Sequence, residues 1–369
     1  MADNLIKKIS SLVGSEDGLL FGRGSTAFAV ALRAIKLSTK KNKIIMPTMS
    51  CSALPQVAIY EGFEIVYVDI NLKNLGFSES DLGEVDFEEV AAIFIVHQFG
   101  LAADLKKIKA LVQSKVKHRI YYIEDVCQSI GGTFNGNPLG SEADYSISSF
   151  GGDKIISNTY GGGFLGVKDK ECLEAANAAI KILEFYDLKM DEATYLSQSH
   201  RNFYHAVVDL QRIGFNRTLT FTTENILPYK ILYYKKYDPR ANECIANAIL
   251  KLKNTLRERI QRGWAYHKAN SSIDSLKMFD WDNSGCLWRF PFMVQNASDQ
   301  VNLTLRLRRA GYDVSNHYWS LPQLFGLEKM YCNTEYFQQR IINLWVNSEY
   351  SERRIKNLNI EIQNFYDYR

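Results

Sequence analysis

Arg119-Ile120-Tyr121-Tyr122-Ile123-Glu124-Asp125 is an apolar run closing on two acids, and it reads as a buried strand that delivers carboxylates to its carboxyl end. Upstream, Ala91-Ala92-Ile93-Phe94-Ile95-Val96 is apolar throughout, as a strand covered on both faces must be. Between the two, residues 104–116 carry Leu105, Ile108, Leu111 and Val112 at helical spacing. Lys43 to Pro47 and Phe63 to Asp69 add two more strands, and residues 25–38 another helix. This alternation predicts an α/β fold: a mostly parallel central sheet with helices on both faces, its ligands gathering at the carboxyl ends of the strands. Residues 147–166, rich in Gly and Ser, are expected to turn.

Beyond about residue 171 the pattern is helical and irregular up to Tyr237, then helical again from Asn242 to Lys268. Leu287 to Val294 reads as a strand of a second, smaller α+β unit. Residues 303–309 suit a basic helix ended by Gly311, although Leu303, Leu305 and Leu307 alternate as in a strand. We expect a large α/β domain over residues 1–235 and a small α+β domain over 236–369.

Composition narrows the function. With 369 residues, 46% hydrophobic and 23% charged, the chain has enough apolar content for two packed cores and is not disordered. Its 44 Lys+Arg nearly cancel 41 Asp+Glu, so the electrostatic case for a nucleic-acid groove is missing. No apolar run approaches the roughly 18 residues of a spanning helix, and Met1 to Leu20 lacks the apolar stretch of a signal peptide. The six cysteines (Cys51, Cys127, Cys172, Cys244, Cys286 and Cys332) are scattered without a C-x-x-C pair, which argues against a zinc knuckle or a disulfide framework. A reducing, cytoplasmic setting is expected.

Four segments carry chemistry. Gly22-Arg23-Gly24-Ser25-Thr26-Ala27 precedes a helix, where small residues let N–H groups and hydroxyls approach an anion; many helices also begin this way without one. Asp125 at a strand end is either a cap or a carboxylate that keeps a heterocyclic nitrogen protonated, with Gln128 reaching the same ring from the next turn. Lys154, in Ser149-Phe150-Gly151-Gly152-Asp153-Lys154, sits among glycines after an alternating run. Partial burial there is expected to lower its ammonium pKa and free the amine for a Schiff base. Finally, Gly161-Gly162-Gly163 lets backbone pack closely beneath a cofactor, or forms a flexible turn.

In this order the segments resemble the DegT/DnrJ/EryC/StrS sugar aminotransferases, a family of fold-type I pyridoxal-phosphate enzymes. Met46-Pro47-Thr48-Met49-Ser50-Cys51, Val66-Tyr67-Val68-Asp69 and Val96-His97-Gln98-Phe99-Gly100 extend the likeness, as do Arg289-Phe290-Pro291 and His317-Tyr318 late in the chain. The resemblance implies that Lys154 carries pyridoxal 5′-phosphate covalently and moves the proton. It implies that Asp125 pairs with the pyridine nitrogen, that Gln128 bonds the ring hydroxyl, and that Gly24, Ser25 and Ser149 hold the phosphate. It further implies an amino donor, glutamate or glutamine, which converts the cofactor to pyridoxamine 5′-phosphate, and a keto-sugar acceptor; His317 and Tyr318 either touch that substrate or make structural hydrogen bonds. A homodimer is implied too, with the site at its interface and a partner asparagine on the phosphate. Asn216 is the choice for that role, with the Asp238 segment its rival, since an aspartate repels phosphate.

The chain departs from the family pattern in three places. Gly152-Asp153 stands where Pro-Thr is common, Cys51 stands where an aromatic stacks on the ring, and the segment after Lys154 is longer than usual. These departures keep a non-catalytic relative as an alternative. Relatives that dehydrate sugars replace the lysine with histidine, so Lys154 argues against that chemistry. Trp288 and Phe290 read as core, His97 as a satisfied structural histidine, and Arg306, Arg308 and Arg309 as a solvated helix face.

Overall fold

The computed structural model describes residues 2–213, 219–281 and 283–367. Seven strands form the main sheet: β1 (Asp17–Phe21), β2 (Lys43–Pro47), β3 (Glu64–Val68), β4 (Val90–Val96), β5 (Tyr121–Asp125), β6 (Tyr145–Ser149) and β7 (Gly163–Val167). Their order is β1-β7-β6-β5-β4-β2-β3. From β6 to β3 every pairing is parallel, whereas β7 runs antiparallel to both β6 and β1. Strand β4 is buried along its whole length, in keeping with its unbroken apolar sequence. Helix α1 (Gly24–Ser38) carries the chain from β1 to β2, and α2 (Ala53–Tyr60) and α3 (Leu105–Gln113) join the parallel pairs β2–β3 and β4–β5. All the parallel carboxyl ends therefore open on one edge.

Two features depart from the sequence-based expectation. The Gly/Ser-rich stretch does not simply turn: it contains most of β6 and the start of β7. Its glycines are required by close packing. A Cβ on Gly163 would lie 2.0 Å from the Arg23 carbonyl oxygen and 2.6 Å from the Gly24 nitrogen, so the strand bears directly on the loop that opens α1. Residues 303–309 lie within a helix, Ala297–Arg309, as expected despite their alternating leucines. There Leu303 and Leu307 are buried one turn apart and Leu305 is exposed. Arg306 and Arg308 of that helix are not merely solvated: Arg306 pairs with Glu361 at 2.9 Å, and Arg308 donates to the Val314 carbonyl.

A second sheet of four antiparallel strands follows: β8 (Leu276–Met278), β9 (Arg289–Val294), β10 (Val314–Ser315) and β11 (Ile341–Trp345), in the order β8-β9-β11-β10. It shares one core with the turn after β4. Phe99 and Leu101 pack in the same cluster as Phe290, Leu344 and Tyr266 of the helix Ala241–Asn270. A long helix, Met190–Arg212, lies across the first sheet's helices. Its His200 shares a hydrogen bond of 2.9 Å with Gln56 Nε2, and Gln56 Oε1 accepts from Tyr233 at 3.0 Å. Because Gln56 Nε2 is a donor, His200 Nε2 accepts and the ring is neutral. Burial, and then the nearby Arg23 guanidinium, push its pKa from 6.5 down to about 4.

Two outcomes follow from this packing. Gly163→Ala forces strand and loop apart, and urea unfolding is expected to show a loss of about 1–3 kcal/mol. His200 binds a proton more readily in the unfolded chain, near pH 6.5, than in the folded one, near pH 4. Acidification through that window therefore favours unfolding, by up to about 3 kcal/mol for this group. His200→Gln is expected to flatten the dependence of unfolding free energy on pH between those values.

Candidate active site

Asp125 is the last residue of β5, and its buried carboxylate is oriented by the N–H of Cys127, which donates to Oδ1 at 2.8 Å. Gln128, one turn on, accepts the Phe99 N–H through Oε1 at 2.6 Å, which leaves its amide nitrogen without a partner among the described residues. His97, fully buried, accepts the Ala103 N–H at Nδ1 (3.1 Å), so its Nε2 proton goes to Glu124 at 3.0 Å. That histidine is a structural brace between β4 and β5, as expected.

On the neighbouring strand, β6 ends at Ser149 and the chain turns through Gly151, whose carbonyl accepts the Lys154 N–H at 3.0 Å. Lys154 is half-buried, with Nζ 4.9 Å from the centre of the Trp288 ring. Its pKa is not lowered, contrary to the sequence-based expectation. Burial alone pulls it down, but Asp153, Cys127, Cys51 and Asp125 act in the other direction, and the net shift is upward. Cys127, itself pushed well up by burial, is a neutral thiol at pH 7, so the carboxylates of Asp153 and Asp125 supply negative charge that holds the ammonium. A partly desolvated lysine thus remains protonated because anions surround it.

The anion corner lies at the start of α1. Arg23 is the extended residue before the helix, and a Cβ on Gly24 would meet the Ser149 Cβ at 3.0 Å and the Cys127 Sγ at 3.3 Å. The glycine therefore brings the helix start against the end of β6. Ser25 is buried and its Oγ has no partner among the described residues. Such an orphaned hydroxyl costs about 1–3 kcal/mol, which a ligand accepting or donating there would recover. Gly24, Ser25 and Ser149 thus converge with Cys127 on one corner. Arg23, a cation the sequence reading passed over, donates Nη1 to Ser197 of the long helix at 3.0 Å. Cys51, in the turn after β2, is exposed and lies within electrostatic reach of Lys154, Cys127, Arg23 and Tyr318.

The second sheet closes the other side. Tyr318 meets Phe99 edge-on at 5.0 Å, and burial raises its phenol to about 12. His317 turns to the long helix instead. It stacks on His205 at 4.4 Å and lies 3.5 Å from Asp209, with its pKa lowered to about 4 by burial, His205 and Arg212. Trp288 is more than core. It stacks on Phe99 at 6.2 Å and donates Nε1–H to the Asp153 carbonyl at 2.6 Å. Arg289 lies over the rings of Trp345 (3.6 Å) and Trp288 (4.6 Å), bonds Asn343 at 3.1 Å, and reaches 3.7 Å from the Asp153 carboxylate. Asn216 lies outside the described residues. Its rival Asp238 is paired with Arg240 at 2.6 Å. Among the described residues no cluster of His, Cys, Asp and Glu suits a metal ion, and no helix is long and apolar enough to cross a membrane.

Comparisons with known proteins bear on the fold and the family. The closely similar fold of a putative sugar aminotransferase, Spr1654 from Streptococcus pneumoniae in its PLP form, superposes with a TM-score of 0.76 at 17% identity, covering 97% of this chain and 88% of that one. A crystal structure of 3-amino-5-hydroxybenzoic acid synthase gives 0.75 at 14% identity, covering 100% and 91%. In sequence, the chain is 30% identical over 164 residues to a UDP-N-acetyl-3-dehydro-alpha-D-glucosamine 3-aminotransferase of Acidithiobacillus ferrooxidans, covering 44% of this chain and 43% of that protein. It is 25% identical over 225 residues to the GDP-perosamine synthase of Escherichia coli O157:H7, covering 59% and 54%. The matched stretch spans about half the length of these curated relatives. The model of the DegT/DnrJ/EryC1/StrS aminotransferase family matches residues 2–227, which include the whole main sheet and the anion corner, and the chain belongs to that family.

Proposed function

We propose that this chain is a pyridoxal-phosphate-dependent aminotransferase that moves an amino group from an amino acid, glutamate or glutamine, onto a nucleotide-linked keto-sugar in the making of a surface glycan or glycosylated metabolite. The observation that carries the reading is the convergence of an ordered carboxylate, Asp125, and an anion-surrounded amine, Lys154, beside a serine-lined helix start. Relatives whose names specify UDP-, GDP- and dTDP-linked amino sugars support the substrate class. A lipopolysaccharide biosynthesis protein of Salmonella typhimurium, 27% identical over 155 residues, supports the setting.

Bound at this site, pyridoxal phosphate supplies an electron sink through which an amino group changes owner. The residues fit it: the orphaned Ser25 hydroxyl, the Gly24 cradle and Ser149 suit a phosphate, and the oriented Asp125 carboxylate suits a protonated ring nitrogen. Lys154 Nζ would be the covalent attachment point and, once released as the neutral amine, the group that takes and returns the substrate proton. Asp125 would hold the proton on the ring nitrogen, Gln128 would donate its amide to the ring hydroxyl, and Cys51 would stand beside the cofactor. Tyr318 would line the sugar side, whereas His317 turns away to His205 and Asp209. We extend the proposal to a cytoplasmic homodimer whose Asn216 reaches the partner's phosphate corner, and to domains divided at residues 235 and 236, each built around one of the two sheets.

Purified protein is expected to absorb at the visible edge, and borohydride is expected to fix the cofactor's mass on Lys154. Lys154→Ala is expected to be colourless and inactive. Glutamate should bleach the wild-type band and release one equivalent of 2-oxo acid; a protein that takes up cofactor but never bleaches with any amino donor would be a non-catalytic relative. Asp125→Asn is expected to lower kcat by at least about tenfold, the equivalent of 1.4 kcal/mol of transition-state stabilisation, with cofactor still attached.

A further inference from the structure

Arg23 stands where the chemistry of a helix start calls for the opposite kind of group. It is the last residue before α1, with extended backbone at φ −154° and ψ 159°. A side chain at that position ordinarily offers an oxygen, because the first N–H groups of a helix need acceptors and the aligned peptide dipoles leave that end positive. Here the first intrahelical bond runs from the Ala27 N–H to the Arg23 carbonyl at 3.2 Å, so the N–H groups before Ala27 have no acceptor within the helix. Arg23 adds a full positive charge and five further donors, and the first turn of α1 holds no acid to offset them.

The guanidinium is half-buried, yet among the described residues no carboxylate pairs with it. Its Nη1 donates to Ser197 Oγ at 3.0 Å. Burial pulls its pKa down, with the Tyr233 phenol and the Cys51 thiol acting the other way, and neither is a carboxylate. A desolvated cation at the positive end of a 15-residue helix is repulsive as it stands. Two residues on, Ser25 is buried and its hydroxyl has no partner among the described residues. The charge at Arg23 and the orphaned oxygen at Ser25 are separate observations, and both are answered by one group with several oxygens and negative charge.

We propose that Arg23 binds the cofactor phosphate, as the cation that completes the corner formed by Gly24, Ser25 and Ser149. The inference rests on the pyridoxal-phosphate reading and deepens it. A phosphate dianion accepts from the helix N–H groups and from the guanidinium together, so the two positive groups that repel each other are both satisfied. Ser197, on the long helix, fixes the orientation of the fork from the other side. What the residue adds to the reaction is retention. In the pyridoxamine form Lys154 is not joined to the cofactor, and noncovalent contacts alone keep it in place between the two halves of the transfer. A guanidinium on the phosphate supplies the charge for that hold.

The test uses the full-length chain freed of cofactor by dialysis against hydroxylamine. Equilibrium dialysis then measures its affinity for two probes, pyridoxamine 5′-phosphate and pyridoxamine, which differ only in the phosphate. Arg23→Gln, which keeps a donor for Ser197, is expected to weaken the phosphorylated probe about tenfold to a hundredfold and pyridoxamine by less than about twofold, as for a lost charge-assisted hydrogen bond. Arg23→Lys, which restores the charge without the fork, should fall between Gln and the wild type. An unchanged affinity for the phosphorylated probe, or an equal loss for both probes, overturns the proposal; the unchanged value is the one expected if the guanidinium served the amino donor's carboxylate instead. Should neither variant fold, the wild-type chain is treated with phenylglyoxal and its modification at Arg23 is read by mass spectrometry. Protection by pyridoxamine 5′-phosphate and not by pyridoxamine supports the proposal, and equal protection or none overturns it. Borohydride trapping on Lys154 of the wild type separates the two readings. Its failure removes the cofactor assignment, whereas trapping beside an unchanged affinity ratio removes only the part given to Arg23.

Discussion

Asp125 sits opposite Ile147 across the parallel β5–β6 pair, and the geometry of the site depends on that register. It places the oriented carboxylate two residues from the end of β6, so that Ser149 and the turn carrying Lys154 emerge beside it. Strand β7 then returns antiparallel along β6, with Gly163 opposite Ser149 and in contact with the Arg23–Gly24 backbone. A slip of one residue in either pairing would turn Asp125 or Ser149 to the opposite face of the sheet. The anion corner and the amine are thus fixed by the same three strands. Helix α1 is held in turn, because Thr26 Oγ1 donates to the Tyr233 carbonyl and Gly22 donates to that of Lys235.

The electrostatics follow from what those strands bring together. Desolvation is the largest single influence on Lys154, and on its own it would favour the neutral amine. Attraction to nearby groups, the Asp153 and Asp125 carboxylates among them, acts against it, and the net shift is upward. The two carboxylates belong to different elements, so the balance is a property of the assembled fold. The His200 ring shows the converse case. With a neutral amide as its hydrogen-bond partner and a guanidinium nearby, nothing offsets burial and the proton is expelled.

Much of this was legible in the sequence, for a physical reason. Strands buried on both faces must be apolar along their length, so β2, β4 and β5 announced themselves, and the helix between β4 and β5 showed its stripe. Strand β7 did not, because Gly163 and Gly166 are there to let other backbone and side chains approach, and glycine otherwise signals a turn. Asp125, Gln128 and Lys154 could be singled out because each stands at or just past a strand end. Trp288 could not be told from core by its neighbours in sequence, since the lysine and the Asp153 carbonyl it meets lie on another element. The same holds for Arg23, whose partner Ser197 lies far along the chain on the long helix. The direction of the Lys154 shift was misjudged because local sequence reports burial better than it reports the charges folded around a group.

The turn after β4 ties these observations together. Phe99 adopts φ = 60°, a left-handed backbone that costs a non-glycine residue of order 1 kcal/mol or more, and Gly100 follows at φ = 102°. The surroundings repay that strain: Gln128 accepts the Phe99 N–H, the Phe99 carbonyl accepts from Trp288, and its ring contacts both Trp288 and Tyr318. A Cβ on Gly100 would lie 2.4 Å from the Cys286 carbonyl oxygen, so the second sheet's approach strand rests directly on this turn. Gln128 from the first sheet and Trp288 from the second are therefore anchored on consecutive groups of one strained residue. Packing of the second sheet does more than cover the first: through Phe99 it sets where the Gln128 amide and the ring beneath Lys154 stand, so neither half of the chain builds the site alone.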